Sequence, residues 1–290
     1  MRSSLVQYGL LAAAVLLIST SAIFVRLAQA PSGIIAFYRL LLTLAVLVPV
    51  LLCRGADRRA VCSLSARQWL YAVLSGALLS LHWVMWFESL RFTSIASSTV
   101  LVSLQPLFSI VFGALLLRER VTPLALAGIV LAIAGSAVIG WGDFRVNGMA
   151  FWGDVLAFAS AGVISLHFLF GQVLRRDLAV LPYTAVCYGA GAVCLALYAL
   201  SCGLPFSGYT AGTWASFAGI ALFATVGGQF LLNALLKYLP ATSVTTGILG
   251  EPIGTIILAW IIFGEGVTLQ QAIGMALILG GLQLYFLRRK

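Results

Sequence analysis

The chain has 290 residues, 62% of them hydrophobic and 9% charged, with a formal net charge of +9. So apolar a composition leaves too little polar surface to coat a water-soluble globule and more apolar length than one core can bury, which makes lipid the solvent. The excess positive charge does not mark a nucleic-acid binder, because the basic residues sit between apolar runs and follow a membrane-topology rule.

A membrane-crossing helix needs about 20 apolar residues. Charged and turn residues divide the chain into ten such runs, at roughly 7–27, 34–53, 68–88, 95–117, 122–141, 151–173, 181–201, 213–235, 242–263 and 268–287. The runs are continuously apolar and do not alternate, which excludes a transmembrane β-barrel and predicts an all-α integral membrane protein with ten transmembrane helices. With the amino terminus in the cytoplasm, the inner side receives Arg2, Arg54, Arg58, Arg59, Arg67, Arg118, Arg120, Arg175, Arg176, Lys237, Arg288, Arg289 and Lys290. The outer side receives Arg26, Arg91 and Arg145. Positive-inside counting therefore puts both termini in the cytoplasm, as an even number of spans requires.

The first run carries Ser19, Thr20 and Ser21, hydroxyls that bond back to a helix without cost to insertion. The second opens on Pro31-Ser32-Gly33 and sets Arg39 within the membrane. A guanidinium there snorkels, pairs or faces a water-filled cavity, so a solute contact and a tie between helices both stay open. Residues 54–67 are a charged connection too short for a soluble domain. The third run places Ser75, His82, Trp86 and Ser89 on one helical face. Such a face suits a cavity that stacks or hydrogen-bonds an organic solute; a histidine bonded to a neighbouring carbonyl and tryptophans of an interfacial belt are the plain alternatives. In the fourth run Ser98, Gln105 and Ser109 share a stripe, and Pro106 removes a backbone donor and bends the helix. Arg118–Thr122 reads as a tight inner turn in which Glu119 pairs with a neighbouring arginine or caps the next helix.

Residues 142–150 form a short polar linker between a first unit, 1–141, and a second, 151–290. Asp154 reads as an anion at a helix amino terminus, and His167 shares a deeper face with Ser160 and Gly171. Gln229 and Asn233 lie one turn apart on a common face, where buried amides bond another helix. Glu251, followed by Pro252, is the one charge in the run 242–263. A carboxylate at that depth is costly unless Arg39 or a solute partners it, so a proton carrier and a structural hydrogen-bonding group are its two readings.

The two units repeat one another at a constant offset of 146 residues. Ser97 aligns with Ser243, Thr99 with Thr245, Pro106 with Pro252, Glu119 with Glu265, Thr122 with Thr268, Gly128 with Gly274 and Gly135 with Gly281. Five runs per repeat force the copies into opposite orientations, and proline-interrupted helices at matching positions point to a transporter with its site near the midplane. The glycines would let helices pack closely, within the chain or in a dimer. The symmetry fails at Gln105, whose counterpart is Glu251. Five cysteines without metal-ligand spacing, and the absence of hydrolase or metalloprotease motifs, call for no metal, no cofactor and no enzyme activity.

The segments LHWVMWFESLRFTSIASSTVLVSLQPLFSIVFGALLLRERVT and GGQFLLNALLKYLPATSVTTGILGEPIGTIILAWIIFGEGVT resemble the two repeats of the drug/metabolite transporter superfamily, EamA type. The resemblance covers nearly the whole chain. It implies a ten-helix bundle, a central cavity lined by helices 1, 3, 4, 6, 8 and 9 with helices 5 and 10 peripheral, and alternating access. The expectation is a secondary transporter of small organic metabolites, amino acids or related solutes, working outward across the inner (cytoplasmic) membrane as a monomer or homodimer. Broad-specificity drug or cation efflux is the main alternative and a passive channel a lesser one. The candidate solute contacts are His82, Trp86, Arg39, Gln105, Gln229 and Asn233. Glu251 is the candidate for proton coupling or for organising the cavity, with Pro106 and Pro252 at the helix bends.

Overall fold

The structure, a computed structural model, describes residues 2–117, 123–146, 148–239 and 241–286. Among these residues every regular element is a helix, as a chain in lipid requires, because each backbone N–H or C=O left unpaired in hydrocarbon costs several kcal/mol. The main helices in chain order are α1 (Val6–Leu27), α2 (Ser32–Cys53), α3 (Ala66–Phe92), α4 (Ile95–Gly113), α5 (Pro123–Val146), α6 (Gly148–Leu174), α7 (Val180–Ser201), α8 (Ala211–Leu235), α9 (residues 241–263) and α10 (Leu269–Phe286). Seven of them are long and apolar enough to cross a bilayer, while α5, α9 and α10 contain shorter apolar segments. Local signals set the ends: Ser65 and Gln68 form a capping box at the start of α3, and α9 stops at Gly264, whose φ of +68° suits a residue without a Cβ.

Hydrogen bonds between connections define two ends of the bundle. At the end reached by Leu27, here termed distal, Thr93 bonds Asp154, the Ile95 amide bonds Glu265 and Tyr38 bonds the Phe206 carbonyl. At the proximal end, the Ala241 amide bonds Gln172 and Arg175 bonds the carbonyls of Leu178, Asn233 and Ala234. One expectation changes here. Because α6 begins at Gly148, Asp154 stands two turns inside it and serves Thr93 at 2.9 Å, not the helix terminus. Residues 142–146 extend α5. The turn Arg118–Thr122, with Glu119, and Asn147 lie outside the described residues.

Four helices are interrupted at mid-length. α1 breaks at Ser19-Thr20 between Arg2–Ile18 and Ser21–Leu27. α4 breaks at Ser103-Leu104, just before Gln105-Pro106, and α9 passes through a 3₁₀ turn, Ile248–Gly250, just before Glu251-Pro252. The middle of α8, Ile220–Gln229, is wound as a π-helix, a form that gathers at functional sites. Serine and threonine hydroxyls bond backbone carbonyls next to these breaks. Ser19 Oγ donates to the Val15 and Glu251 carbonyls at 2.9 and 3.2 Å. Ser165 Oγ donates to the Gln105 carbonyl at 2.7 Å. Ser165 and Gln105 are the repeat counterparts of Ser19 and Glu251, so the same cross-repeat bond is made twice.

α5 and α10 pack on one another along their glycines. A Cβ at Gly135 would stand 2.6 Å from the Gly274 carbonyl, and one at Gly281 2.5 Å from the Gly128 carbonyl. These small-residue surfaces therefore meet within the chain. Gly281→Ala is expected to cost about 1–3 kcal/mol by overpacking, read as a fall in Tm in detergent. Gly280→Ala, whose Cβ would meet only Leu131 at 3.9 Å, should be neutral or mildly stabilising.

Candidate functional site

The interruptions surround a small cavity of about 30 Å³, lined by Ile18, Ser21, Arg39, His82, Trp83, Trp86, Gln105, Ile164, Phe168, Gln229, Ile248 and Glu251, all of them buried. Six sequence-chosen polar or aromatic residues, Arg39, His82, Trp86, Gln105, Gln229 and Glu251, thus meet at one point although they come from five helices. A cavity needs roughly 10–15 Å³ to hold a water, so this one has room for a few waters and not for an organic solute.

Arg39 is 2% exposed. Its Nε donates to Thr225 Oγ1 at 2.7 Å, its Nη1 to Ser21 Oγ at 3.0 Å, and its guanidinium carbon lies 3.8 Å from the centroid of Trp83. A planar cation with several donors suits such stacking and hydroxyl bonding where an ammonium would not. The π-helix supplies the first partner, since Thr225 Oγ1 also donates to the Ile220 carbonyl five residues back.

His82 Nδ1 lies 3.0 Å from the Ser160 carbonyl. Only a protonated nitrogen can donate to a carbonyl, so the neutral ring keeps its proton on Nδ1 and leaves Nε2 as an acceptor. The ring stacks on Trp86 at 5.9 Å with an interplanar angle of 17°. Among the described residues, Trp86 Nε1, Gln105 Oε1 and Gln229 Nε2 are buried without a hydrogen-bond partner. Glu251 is 5% exposed, and no hydrogen bond from a described residue reaches its carboxylate although its carbonyl takes Ser19. Buried unpaired polar groups are individually costly. Several facing one cavity make a surface built for something polar that comes and goes.

Asn233 is placed elsewhere. Its Nδ2 donates to Tyr188 OH at 3.2 Å, in a second polar cluster where Ser75 Oγ lies 2.9 Å from both His167 Nδ1 and Tyr183 OH. That cluster joins α3, α6, α7 and α8 between the cavity and the proximal end. Pro106 and Pro252 follow the cavity residues Gln105 and Glu251 at the helix breaks but do not line the cavity. Trp83 and Thr225 are the functional neighbours that sequence reasoning missed. The signals were Trp83 three residues before Trp86, and Thr225 four before Gln229.

A helical multi-pass membrane protein whose broken helices close on a buried polar chamber has the architecture of a membrane transporter. The EamA-like transporter family model matches residues 6–141 and again 151–287, and the chain belongs to that family; it is a transporter and not an enzyme. It is 26% identical over 285 residues to an uncharacterized transporter of Archaeoglobus fulgidus, covering 95% of each chain. It is 22% identical over 232 residues to the uncharacterized transporter YxxF of Bacillus subtilis, covering 78% of this chain and 72% of that one. A solved crystal structure, 22% identical, shares the fold over the whole of both chains with a TM-score of 0.72.

Thr225→Val removes the hydroxyl that holds Arg39 Nε while keeping its shape. It is expected to destabilise by roughly 1–3 kcal/mol, the cost of an unsatisfied buried donor, seen as a lower Tm. An unchanged Tm would show that the guanidinium finds another acceptor.

Proposed function

We propose that the protein is a secondary active transporter that moves a small organic metabolite, an amino acid or related solute, by alternating access through the central chamber. In this reading ten membrane passes form two inverted five-helix repeats with both termini in the cytoplasm, in the cell inner membrane. Seven long helices and three shorter apolar ones support the count. The outward direction follows the family resemblance.

The observation that carries the reading is the chamber itself. Trp86, Gln105 and Gln229 supply polar atoms without partners among the described residues, and His82 adds an acceptor nitrogen, beside the flat apolar surfaces of Trp86 and Phe168. The burial of every residue that lines it supports an occluded carrier state, where a passive channel needs a continuous polar pore. His82, Trp86, Gln105 and Gln229 contact the solute, and Arg39, which lines the same chamber, balances Glu251. Asn233 acts from the adjoining polar cluster. Glu251 carries the coupling proton or, on the rival reading, only orders the chamber. Cation efflux remains the second reading because a carboxylate beside Trp86 would also hold an organic ammonium.

The test uses purified protein in a thermal-shift panel of amino acids, polyamines, nucleosides and cationic drugs, because a ligand that binds the folded state raises its Tm. One chemical class should stabilise the native protein and fail to stabilise Trp86→Ala. With that solute in liposomes, Glu251→Gln should abolish pH-driven accumulation while counterflow persists. Loss of both fluxes would assign Glu251 to ordering the chamber, and flux without counterflow would sink the carrier. Topology has its own readout in two exposed native thiols. An impermeant maleimide should reach Cys202 from outside the cell and Cys62 only after the membrane is opened.

A further inference from the structure

The repeat allows the two ends of the bundle to be compared residue by residue. At the distal end the Ile95 amide, which opens α4 in the first repeat, donates to Glu265 Oε1 of the second at 2.6 Å. Glu265 is 22% exposed and its other oxygen lies 3.9 Å from Arg26 Nη2, which in turn donates to the Thr93 carbonyl at 3.3 Å. An offset of 146 residues maps Ile95 onto Ala241, Arg26 onto Gln172 and Glu265 onto Glu119. At the proximal end the Ala241 amide donates to Gln172 Oε1 at 3.0 Å. The same amide is thus tied across the repeats at one end and within its own repeat at the other.

A second inequality stands near the chamber. Thr255 Oγ1 of α9 donates to the Ser19 carbonyl of α1 at 3.0 Å. Its counterpart in α4, Ser109, has a buried hydroxyl with no partner among the described residues, although Ser165 occupies the place equivalent to Ser19. The tie made by Thr255 therefore has no equivalent at Ser109 among the described residues.

Closure at the distal end is thin. An open recess of about 580 Å³ enters between α1, α2 and α3, lined among others by Arg26, Ile35, Phe87 and Arg91. Phe87, at its floor, packs at 5.5 Å on Trp86, which already lines the chamber. Recess and chamber thus meet at the Phe87–Trp86 ring contact, and Arg26, on the recess wall, is the residue facing Glu265.

We infer that Glu265 is the latch that holds the distal end closed, a positioning residue for the transport cycle whose bond to Ile95 breaks when the chamber opens on that side. A carboxylate on a helix amino terminus is a charge-assisted bond, strong enough to bias a two-state equilibrium and able to exchange for water at a partly exposed site. The inference rests on the alternating-access reading of the preceding section.

The test needs no solute. Ile18→Cys places a thiol on the chamber wall, and an impermeant maleimide is applied to right-side-out and inverted vesicles, with labelling resolved by peptide mass spectrometry. Exposed Cys202 and Cys62 report which end the reagent reaches. Adding Glu265→Ala should raise labelling of the introduced chamber thiol from the Cys202 side by roughly tenfold or more, the equivalent of one hydrogen bond to a charged group. Glu265→Gln, which keeps an acceptor and loses the charge, should fall between. A Ser94→Cys/Glu265→Cys pair joined by a short bifunctional thiol reagent should reduce labelling from that side below the parent level, reversibly if the linker is cleavable. Glu265 is a mere structural cap if its loss lowers Tm while labelling stays equal from both sides, or if the cross-linked pair labels like the parent. If the chamber thiol reacts from neither side in any form, alternating access itself fails, and that result is distinguishable because the latch variants then match a silent parent.

Discussion

The arrangement depends on a rule imposed by lipid: a helix may break inside the membrane only where other protein groups take up the backbone that the break frees. α1, α4, α8 and α9 all break beside the chamber, and hydroxyls bond backbone carbonyls next to the breaks. Ser19 serves Val15 and Glu251, Ser165 serves Gln105, and Thr225 serves Ile220. The chamber follows from this. Interrupted helices cannot pack as closely as continuous ones, and the residues at the interruptions turn their polar atoms into the space that remains.

Arg39 shows how the repairs are joined to one another. Its guanidinium reaches Thr225 in the π-wound part of α8 and Ser21 just past the break in α1, while Trp83 covers its face. One side chain thereby fixes the relative positions of two irregular segments. The uncommon winding of α8 has its reason here: Thr225 lies inside the π-helical segment and bonds both Arg39 and the Ile220 carbonyl. Removing the charge would leave three helices without their common partner, so Arg39 acts in structure whether or not it also meets a solute.

Much of this was legible in the sequence, and the boundary has a physical cause. Continuous apolar runs located the helices because burial in lipid demands them, and two of the breaks were visible because Pro106 and Pro252 remove a backbone donor. The breaks in α1 and α8 were not visible, since neither holds a proline and both are imposed by tertiary bonds to Ser19 and Thr225. Residue type identified Arg39, His82, Trp86, Gln105, Gln229 and Glu251 as out of place in hydrocarbon, and all six reach the chamber. Asn233 satisfied the same test and lies elsewhere, beside Tyr188. One turn of helix separates it from Gln229, and the change from π to α winding after Gln229 shifts the rotation that helical periodicity assumes.

The repeat and its defects divide the work. Equivalent backbone ties, Ser19 to Glu251 and Ser165 to Gln105, give the two repeats interchangeable footing, which is what a motion between two related states requires. The chemistry of the chamber is not interchangeable. Glu251 has a glutamine at its equivalent position, and α7, the counterpart of α2, carries no charged residue to match Arg39. The chamber thus holds one fixed cation in the first repeat and one acid in the second, both out of water in this closed state. Any displacement of one repeat against the other changes the distance between these charges and the water each can reach. On the alternating-access reading proposed above, a symmetric frame with an asymmetric lining would make solute and proton occupancy sensitive to conformation, because the polar groups that must be satisfied differ between the two repeats.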